Sequence, residues 1–268
     1  MPVTMRHTVL RQRAVADGID REPPIFGALA GHAILLDVDG TILDLAPAPH
    51  QVLVPAGLRE TLTALHVATG GALALVSGRT IDDLDRIFAP LQLSSVGGHG
   101  AELRIGTEGR LKLVERLDDD LRTELSAIAQ PGNGVIAEDK GYSLALHFRQ
   151  APDWEHRIRQ WIEQTCDKRR TSNVEILPGK SVFEIKCAGI SKATGVRALM
   201  RMAPFAGRCP IFIGDDKTDD SVFASLPAFG GLGYSVGKTV AGTCGRFDNP
   251  QAVRDWLARL AAATRAGA

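Results

Sequence analysis

The sequence predicts an α/β protein: a doubly wound, parallel-sheet core interrupted by an inserted α+β cap domain. Three observations carry this expectation. Short apolar runs that end in polar clusters alternate with amphipathic stretches in the first third of the chain. That rhythm breaks off after about Ile105 and resumes at Ser191. Between these points, meandering strand patterns lie beside two helical ones, as in a separate α+β layer. With 268 residues there is room for one large α/β domain, or for a core plus a smaller insert.

Taken in order, the first buried strand is Ala33–Leu36, an apolar run ending abruptly in Asp-Val-Asp-Gly. Pro55 and Gly57 open an amphipathic helix whose inner face is marked by Leu58, Leu62, Leu65 and Val67, and Gly70-Gly71 close it. A second buried strand, Ala72–Val76, ends in Ser77-Gly78-Arg79, and a helix from about Thr80 to Phe88 stops at Pro90. In the middle segment, strands are expected at Leu111–Val114, Val135–Ala137, Ser143–Phe148 (half-exposed) and Val182–Ile185, with helices near Leu117–Ala129 and Trp154–Cys166. From Ser191 the expectation is a helix at Lys192–Met202, a strand at Pro210–Ile213, and helices near Thr218–Leu226 and Gln251–Ala262. The domains read as an N-terminal extension over 1–30, a core over 31–105 and 188–268, and a cap over 106–187.

Composition narrows the function classes. Hydrophobic residues at 44% and charged residues at 23% describe an ordinary globular chain. Zero formal net charge gives no support to a nucleic-acid or acidic-membrane partner. The seven histidines form no H-x-x-x-H pair, which argues against a zinc enzyme. Cys166, Cys187, Cys209 and Cys244 lie far apart, as expected of a reduced, cytoplasmic chain with buried thiols. No apolar run approaches bilayer-spanning length, and the first thirty residues mix Arg6, Arg11, Arg13 and Arg21 with Asp17, Asp20 and Glu22, unlike a signal or transit peptide. A monomer acting on a small molecule is the expectation.

Three polar clusters directly follow apolar strands: Asp37-Val38-Asp39-Gly40-Thr41, Ser77-Gly78-Arg79 and Gly214-Asp215-Asp216-Lys217-Thr218-Asp219. In open parallel sheets the ligand crevice lies outside the carboxyl ends of the strands, so distant residues converge there. Carboxylates packed together require a cation between them, and oxygen-only ligands point to Mg²⁺. Phosphoryl transfer suits such a site. In such a reaction Asp37 would attack as nucleophile, Asp39 is placed to act as the acid, and Ser77 and Lys192 are the candidates to hold the phosphoryl oxygens. Each cluster alone has a plainer reading. A calcium loop starting at Asp37 fails, because its sixth and twelfth places are Ile42 and Ala48. Ser77-Gly78 as a simple turn, Lys192 as a solvated helix residue and Asp215–Asp220 as an acidic helix start each stand on their own. Their coincidence in order, each at a strand end or helix start, favours the catalytic reading.

DVDGT at Asp37–Thr41, SGR at Ser77–Arg79, SK at Ser191–Lys192 and GDDKTDD at Gly214–Asp220 resemble the four motifs of the haloacid dehalogenase superfamily of phosphatases, whose core is Rossmann-like. GGHGAE (Gly97–Glu102), EDKGYSLALHFR (Glu138–Arg149) and GKSVFEIK (Gly179–Lys186) resemble the trehalose-6-phosphate phosphatases. The likeness covers most of the chain from about residue 32 onward. It implies a Mg²⁺ phosphatase releasing trehalose from trehalose 6-phosphate through an aspartyl-phosphate. Asp37, Asp215 and the backbone carbonyl of Asp39 would be the metal ligands, with Asp216 and Asp219 around them. Glu138, Lys140 and Glu184 would bind sugar hydroxyls from the cap, with Arg79 also at the substrate; His99 and Glu102 match the pattern without an assigned role. Two departures stand out: Ala193 replaces a usual glycine, and Cys187-Ala188 replaces a proline and a basic residue. Sucrose phosphate, mannosyl-glycerate phosphate, phosphomutase action and a non-catalytic phosphosugar sensor are the competing readings.

Overall fold

The computed structural model describes residues 23–25, 29–46, 51–107, 109–171, 173–179 and 181–266. Most of the expected N-terminal extension therefore lies outside the described residues. Its last part is anchored: Leu29 is buried in the core, and Trp256 Nε1 donates to the Pro23 carbonyl at 2.9 Å.

The chain divides into two compact units, one running to Leu111 and again from Ser191, the other spanning Lys112–Ile190. The first is built on an eight-stranded sheet. In chain order its strands are β1 (His32–Leu36), β2 (Leu73–Val76), β3 (Ser94–Gly97), β4 (Glu102–Arg104) and β5 (Leu111–Lys112). The second unit then supplies β6 to β9, after which β10 (Cys209–Gly214), β11 (Leu232–Val236) and β12 (Gly245–Phe247) complete the large sheet. The spatial order is β12-β11-β10-β1-β2-β3-β4-β5. The pairs from β12 to β3 are parallel and β3–β4 is antiparallel. Strand order reverses between β1 and β10, so the crevice for ligand opens above those two strands.

Both faces of this sheet are covered, which is why β1 reads as an unbroken apolar run rather than an alternating one. Ile34 and Leu36 face one core with α1 (Leu58–Ala68), α2 (Ile81–Phe88) and α7 (Pro250–Ala266), contributing Leu62, Leu65, Leu84 and Trp256. Ala33 and Leu35 face the other, beneath α5 (Lys192–Leu199) and α6 (Asp220–Ser225), with Val196, Leu199 and Phe223. Val67 is a correction: it is 73% exposed. It stands nine residues after Leu58, half a turn round a 3.6-residue helix from the buried stripe Leu58, Leu62, Leu65.

The second unit carries β6 (Ile136–Asp139), β7 (Ser143–His147), β8 (Val174–Gly179) and β9 (Val182–Cys187), antiparallel in the order β6-β7-β9-β8, with α3 (Asp119–Ser126) and α4 (Glu155–Lys168). The helices cover one face through Leu121, Leu125, Ile158 and Ile162, which pack with Leu144, Leu146, Phe183 and Ile185. Two expectations are corrected. Leu111–Val114 yields only the short edge strand β5 of the large sheet. Ser143–Phe148 is not half-exposed, because β7 is central: Ser143 to Leu146 are all buried. Among the described residues no helix is long and apolar enough to cross a membrane.

Candidate active site

The register of the large sheet decides what meets at its carboxyl edge. Leu36 lies beside Ile213 on one flank and Leu75 on the other. Asp37, Gly214-Asp215 and Ser77, each within two residues of those positions, are therefore drawn to one place. The Asp37 amide extends the ladder by donating to the Ile213 carbonyl at 2.9 Å. After Asp37 the chain folds back sharply, with the amides of Thr41, Ile42 and Leu43 all donating to the Val38 carbonyl. Gly40 makes this turn possible. Its φ is +80°, and a Cβ there would sit 2.2 Å from Asp215 Oδ2.

The buried heart of the site is ionic. Lys192 Nζ, at the first turn of α5, donates to Asp37 Oδ1 at 2.6 Å and to Asp219 Oδ1 at 2.8 Å. Thr41 Oγ1 donates to Asp37 Oδ2 at 2.9 Å, with Asp215 Oδ1 as the alternative acceptor at 3.3 Å. Asp219 Oδ2 accepts from the amides of Asp215 and Asp216, both at 3.0 Å, which fastens the loop after β10. Burial pushes the Asp37 carboxyl up to about 6; Lys192 opposes this and Asp215 adds to it. Asp219 is raised to about 6 for the same leading reason, with Lys192 again opposing. Burial also raises Asp215, and the charges of Asp219 and Asp216 push the same way. For Lys192 burial works against the charge, but the two paired carboxylates outweigh it and hold the ammonium protonated.

Beside this cluster Arg79 makes a two-point pair with Asp39: Nε to Oδ2 at 2.6 Å and Nη2 to Oδ1 at 2.7 Å. Arg79, expected at the substrate, thus grips Asp39. Ser77 is buried at the end of β2, and its Oγ accepts from the Arg79 amide at 3.1 Å. The Gly-rich segment after β3 has a packing role. A Cβ on Gly78 would strike the His99 ring at 2.2 Å, and one on Gly100 would lie 2.1 Å from the Ser191 carbonyl. Close approach of that segment seats the start of α5 and with it Lys192. Glu102 Oε1 accepts from the Ile81 amide at 3.3 Å, capping α2 rather than facing a ligand. Ala193, the departure beside Lys192, is buried in the core with Val196.

Oxygens of Asp37, Asp215 and Asp219 lie within 4.8 Å of one another. This all-oxygen, acidic donor set fits a hard divalent cation. Asp219 is the least suited of the three, since Lys192 and two amides already occupy its oxygens.

Glu138, Lys140 and Glu184 belong to the second unit and share one face of its sheet. Glu138 pairs with Ala145, and Ala145 pairs with Glu184, so the two carboxylates flank a small residue in one row. Lys140 Nζ lies 3.9 Å from Glu138 Oε2 and 3.7 Å from Glu184 Oε1. Sequence reasoning gave no role to Thr41, and left Asp219 in doubt, although both stand inside quoted motifs. For Asp219 the usable signal was its spacing from Asp216, which forms a capping box.

A sequence profile of the trehalose-phosphatase family matches residues 35–244. The chain belongs to the trehalose-phosphatase family. A probable trehalose-phosphate phosphatase of Sinorhizobium fredii is 40% identical over 233 residues, covering 85% of this chain and 87% of that protein. The trehalose-6-phosphate phosphatase of Escherichia coli is 36% identical over 239 residues, covering 87% and 88%. The solved C-terminal domain of trehalose-6-phosphate phosphatase from C. albicans has a TM-score of 0.72 at 19% identity, covering 96% of this chain and 97% of that one, a likeness of fold alone. As a trehalose-phosphatase family member the chain is a phosphatase acting on a small-molecule phosphate ester, and its acidic cluster is of the kind that holds a divalent metal. All nine candidate residues of the site fall inside the matched stretch.

Proposed function

We propose that the protein hydrolyses trehalose 6-phosphate to trehalose and inorganic phosphate in trehalose biosynthesis, as a cytoplasmic monomer. The observation that carries the reading is the buried Asp37–Lys192–Asp219 cluster beside the Asp39–Arg79 pair, all at the strand-order switch of the sheet. The names of the relatives, matched over nearly their full length, favour this substrate over sucrose phosphate or mannosyl-glycerate phosphate. The sensor reading loses ground because Asp37, Asp39 and Lys192 are all present and assembled.

In this reading a carboxylate oxygen of Asp37 attacks phosphorus, and the bond to the sugar oxygen breaks as Asp39 gives that oxygen a proton. Asp39 then takes a proton from the water that cleaves the aspartyl-phosphate, returning Asp37 to its starting state. Arg79 grips the Asp39 carboxylate by both oxygens, and the pair loosens to one bond while Asp39 carries its proton. Ser77 and Lys192 hold the phosphoryl oxygens. Asp37, Asp215 and the backbone carbonyl of Asp39 would bind Mg²⁺, which neutralises phosphoryl charge. A backbone contribution from Asp39 fits the engagement of its side chain with Arg79. Residues 112–190 act as the cap, and Glu138, Lys140 and Glu184 read the sugar hydroxyls, where an unmatched donor or acceptor penalises the wrong sugar.

The test is phosphate release from trehalose 6-phosphate, sucrose 6-phosphate, glucose 6-phosphate and an aryl phosphate, with Mg²⁺ and after chelation. A kcat/KM for trehalose 6-phosphate at least tenfold above the others, lost with EDTA, is expected. Equal rates on all sugars would overturn the substrate assignment.

A further inference from the structure

The face of the small sheet that carries Glu138 and Glu184 holds two further polar residues that the reading above does not use. His147 lies two positions beyond Ala145 on β7, and Ser143 two positions before it, so both share the face of Glu138 and Glu184. His147 Nε2 meets Glu138 Oε2 at 2.9 Å, and Ser143 Oγ donates to Glu184 Oε1 at 2.6 Å. The Glu138 carboxyl is held below its ordinary range, first by the His147 hydrogen bond. An ionised carboxylate only accepts, so Nε2 carries the proton of this bond. The two glutamates are thus gripped diagonally from opposite ends of one strand, and the Lys140 ammonium stands between them at 3.7–3.9 Å.

We propose that His147 and Ser143 are positioning residues that fix the spacing of Glu138 and Glu184 and so set discrimination among phosphosugars. This rests on the reading that those glutamates recognise the sugar. Long acidic side chains have several rotamers, and two carboxylates near one ammonium collapse onto it unless held apart. β7 is an inner strand of its unit and carries both grips, with the small Ala145 between them. A sugar then meets acceptors already in place and loses less freedom on binding.

The test uses the full chain with His147→Leu, His147→Gln, Ser143→Ala, Glu138→Ala and the double variant Glu138→Ala/His147→Leu. For trehalose 6-phosphate, His147→Leu and Ser143→Ala should each raise KM about tenfold with kcat nearly unchanged, the loss of one charge-assisted hydrogen bond. Hydrolysis of p-nitrophenyl phosphate should stay within twofold, and the preference for trehalose 6-phosphate over glucose 6-phosphate should fall. His147→Gln, which keeps an N–H donor, should recover most of the loss. In the Glu138→Ala background, His147→Leu should add nothing, since the residue acts through Glu138. Parallel losses on both substrates would assign His147 and Ser143 to packing alone and overturn the inference. A Glu138→Ala variant with an unchanged trehalose 6-phosphate to aryl phosphate ratio would instead sink the sugar-reading role, and the inference with it. If Glu138→Ala lowers that ratio and His147→Leu does not, only the positioning role is wrong.

Discussion

Replacing Asp37 by asparagine should make the metal-free protein more stable while destroying its activity. In the unfolded chain this carboxyl titrates near 3.8, and in the folded protein near 6, chiefly because it is buried. Between those values the folded state binds the extra proton, so stability falls as pH rises through the window and the whole deficit is present above pH 6. At about 1.4 kcal/mol per pH unit the displacement corresponds to about 3 kcal/mol. Asparagine is nearly isosteric and carries no charge at any pH, and Lys192 keeps Asp219 as a partner. Thermal melting in EDTA at pH 8 should place Asp37→Asn above wild type by up to roughly 6–12 °C, at about 2–4 °C per kcal/mol. Near pH 4 the two should converge. Saturating Mg²⁺ should narrow the gap at pH 8 by stabilising the wild type more. A variant melting at or below wild type at pH 8 in EDTA, or a gap that ignores pH, would refute the reasoning.

Mg²⁺ binding should release protons near pH 6 and hardly any at pH 8, because Asp37 must ionise to accept it; calorimetry in buffers of different ionisation enthalpy reads this directly. Arg79→Lys should lower kcat at least tenfold with little change in KM, since a lysine cannot make the two-point pair with Asp39. A rise in KM alone would return Arg79 to the substrate. Gly100→Ala should destabilise by more than about 2 kcal/mol in urea unfolding, because the new Cβ meets the Ser191 carbonyl at 2.1 Å, whereas Gly106→Ala, with open space around it, should cost only about 1 kcal/mol for its positive φ.

The strand ends were legible because a parallel strand buried on both faces leaves a bare apolar run, and the polar residues that follow it stand out. Ala33–Leu36 with Asp37, and Pro210–Ile213 with Asp215, are of this kind. Other strands were missed for physical reasons. Ser94–Gly97 is fully buried yet built of serine, valine and glycine, so no hydrophobic pattern marks it. Leu232–Val236 carries Gly233, packed against Phe223 and Leu226, and Gly245–Phe247 opens on a glycine, so both read as turns. Val67 misled because an apolar residue beside a helix stripe looks like part of it until the angle is counted. In the site, local motifs showed which residues matter but not whom they touch. The Asp39–Arg79 pair joins residues forty apart, and the bridge from Lys192 to Asp37 spans 155. Only the sheet register brings them together.

The central claim is that Asp37 becomes phosphorylated by trehalose 6-phosphate. Rapid quenching during turnover with Mg²⁺, followed by borohydride reduction and peptide mass analysis, converts an acyl-phosphate into a homoserine at the modified position. The account predicts homoserine at residue 37 in the wild type with trehalose 6-phosphate, and none in Asp37→Asn. Homoserine at another aspartate, or steady phosphate release with no reducible acyl-phosphate, would contradict it.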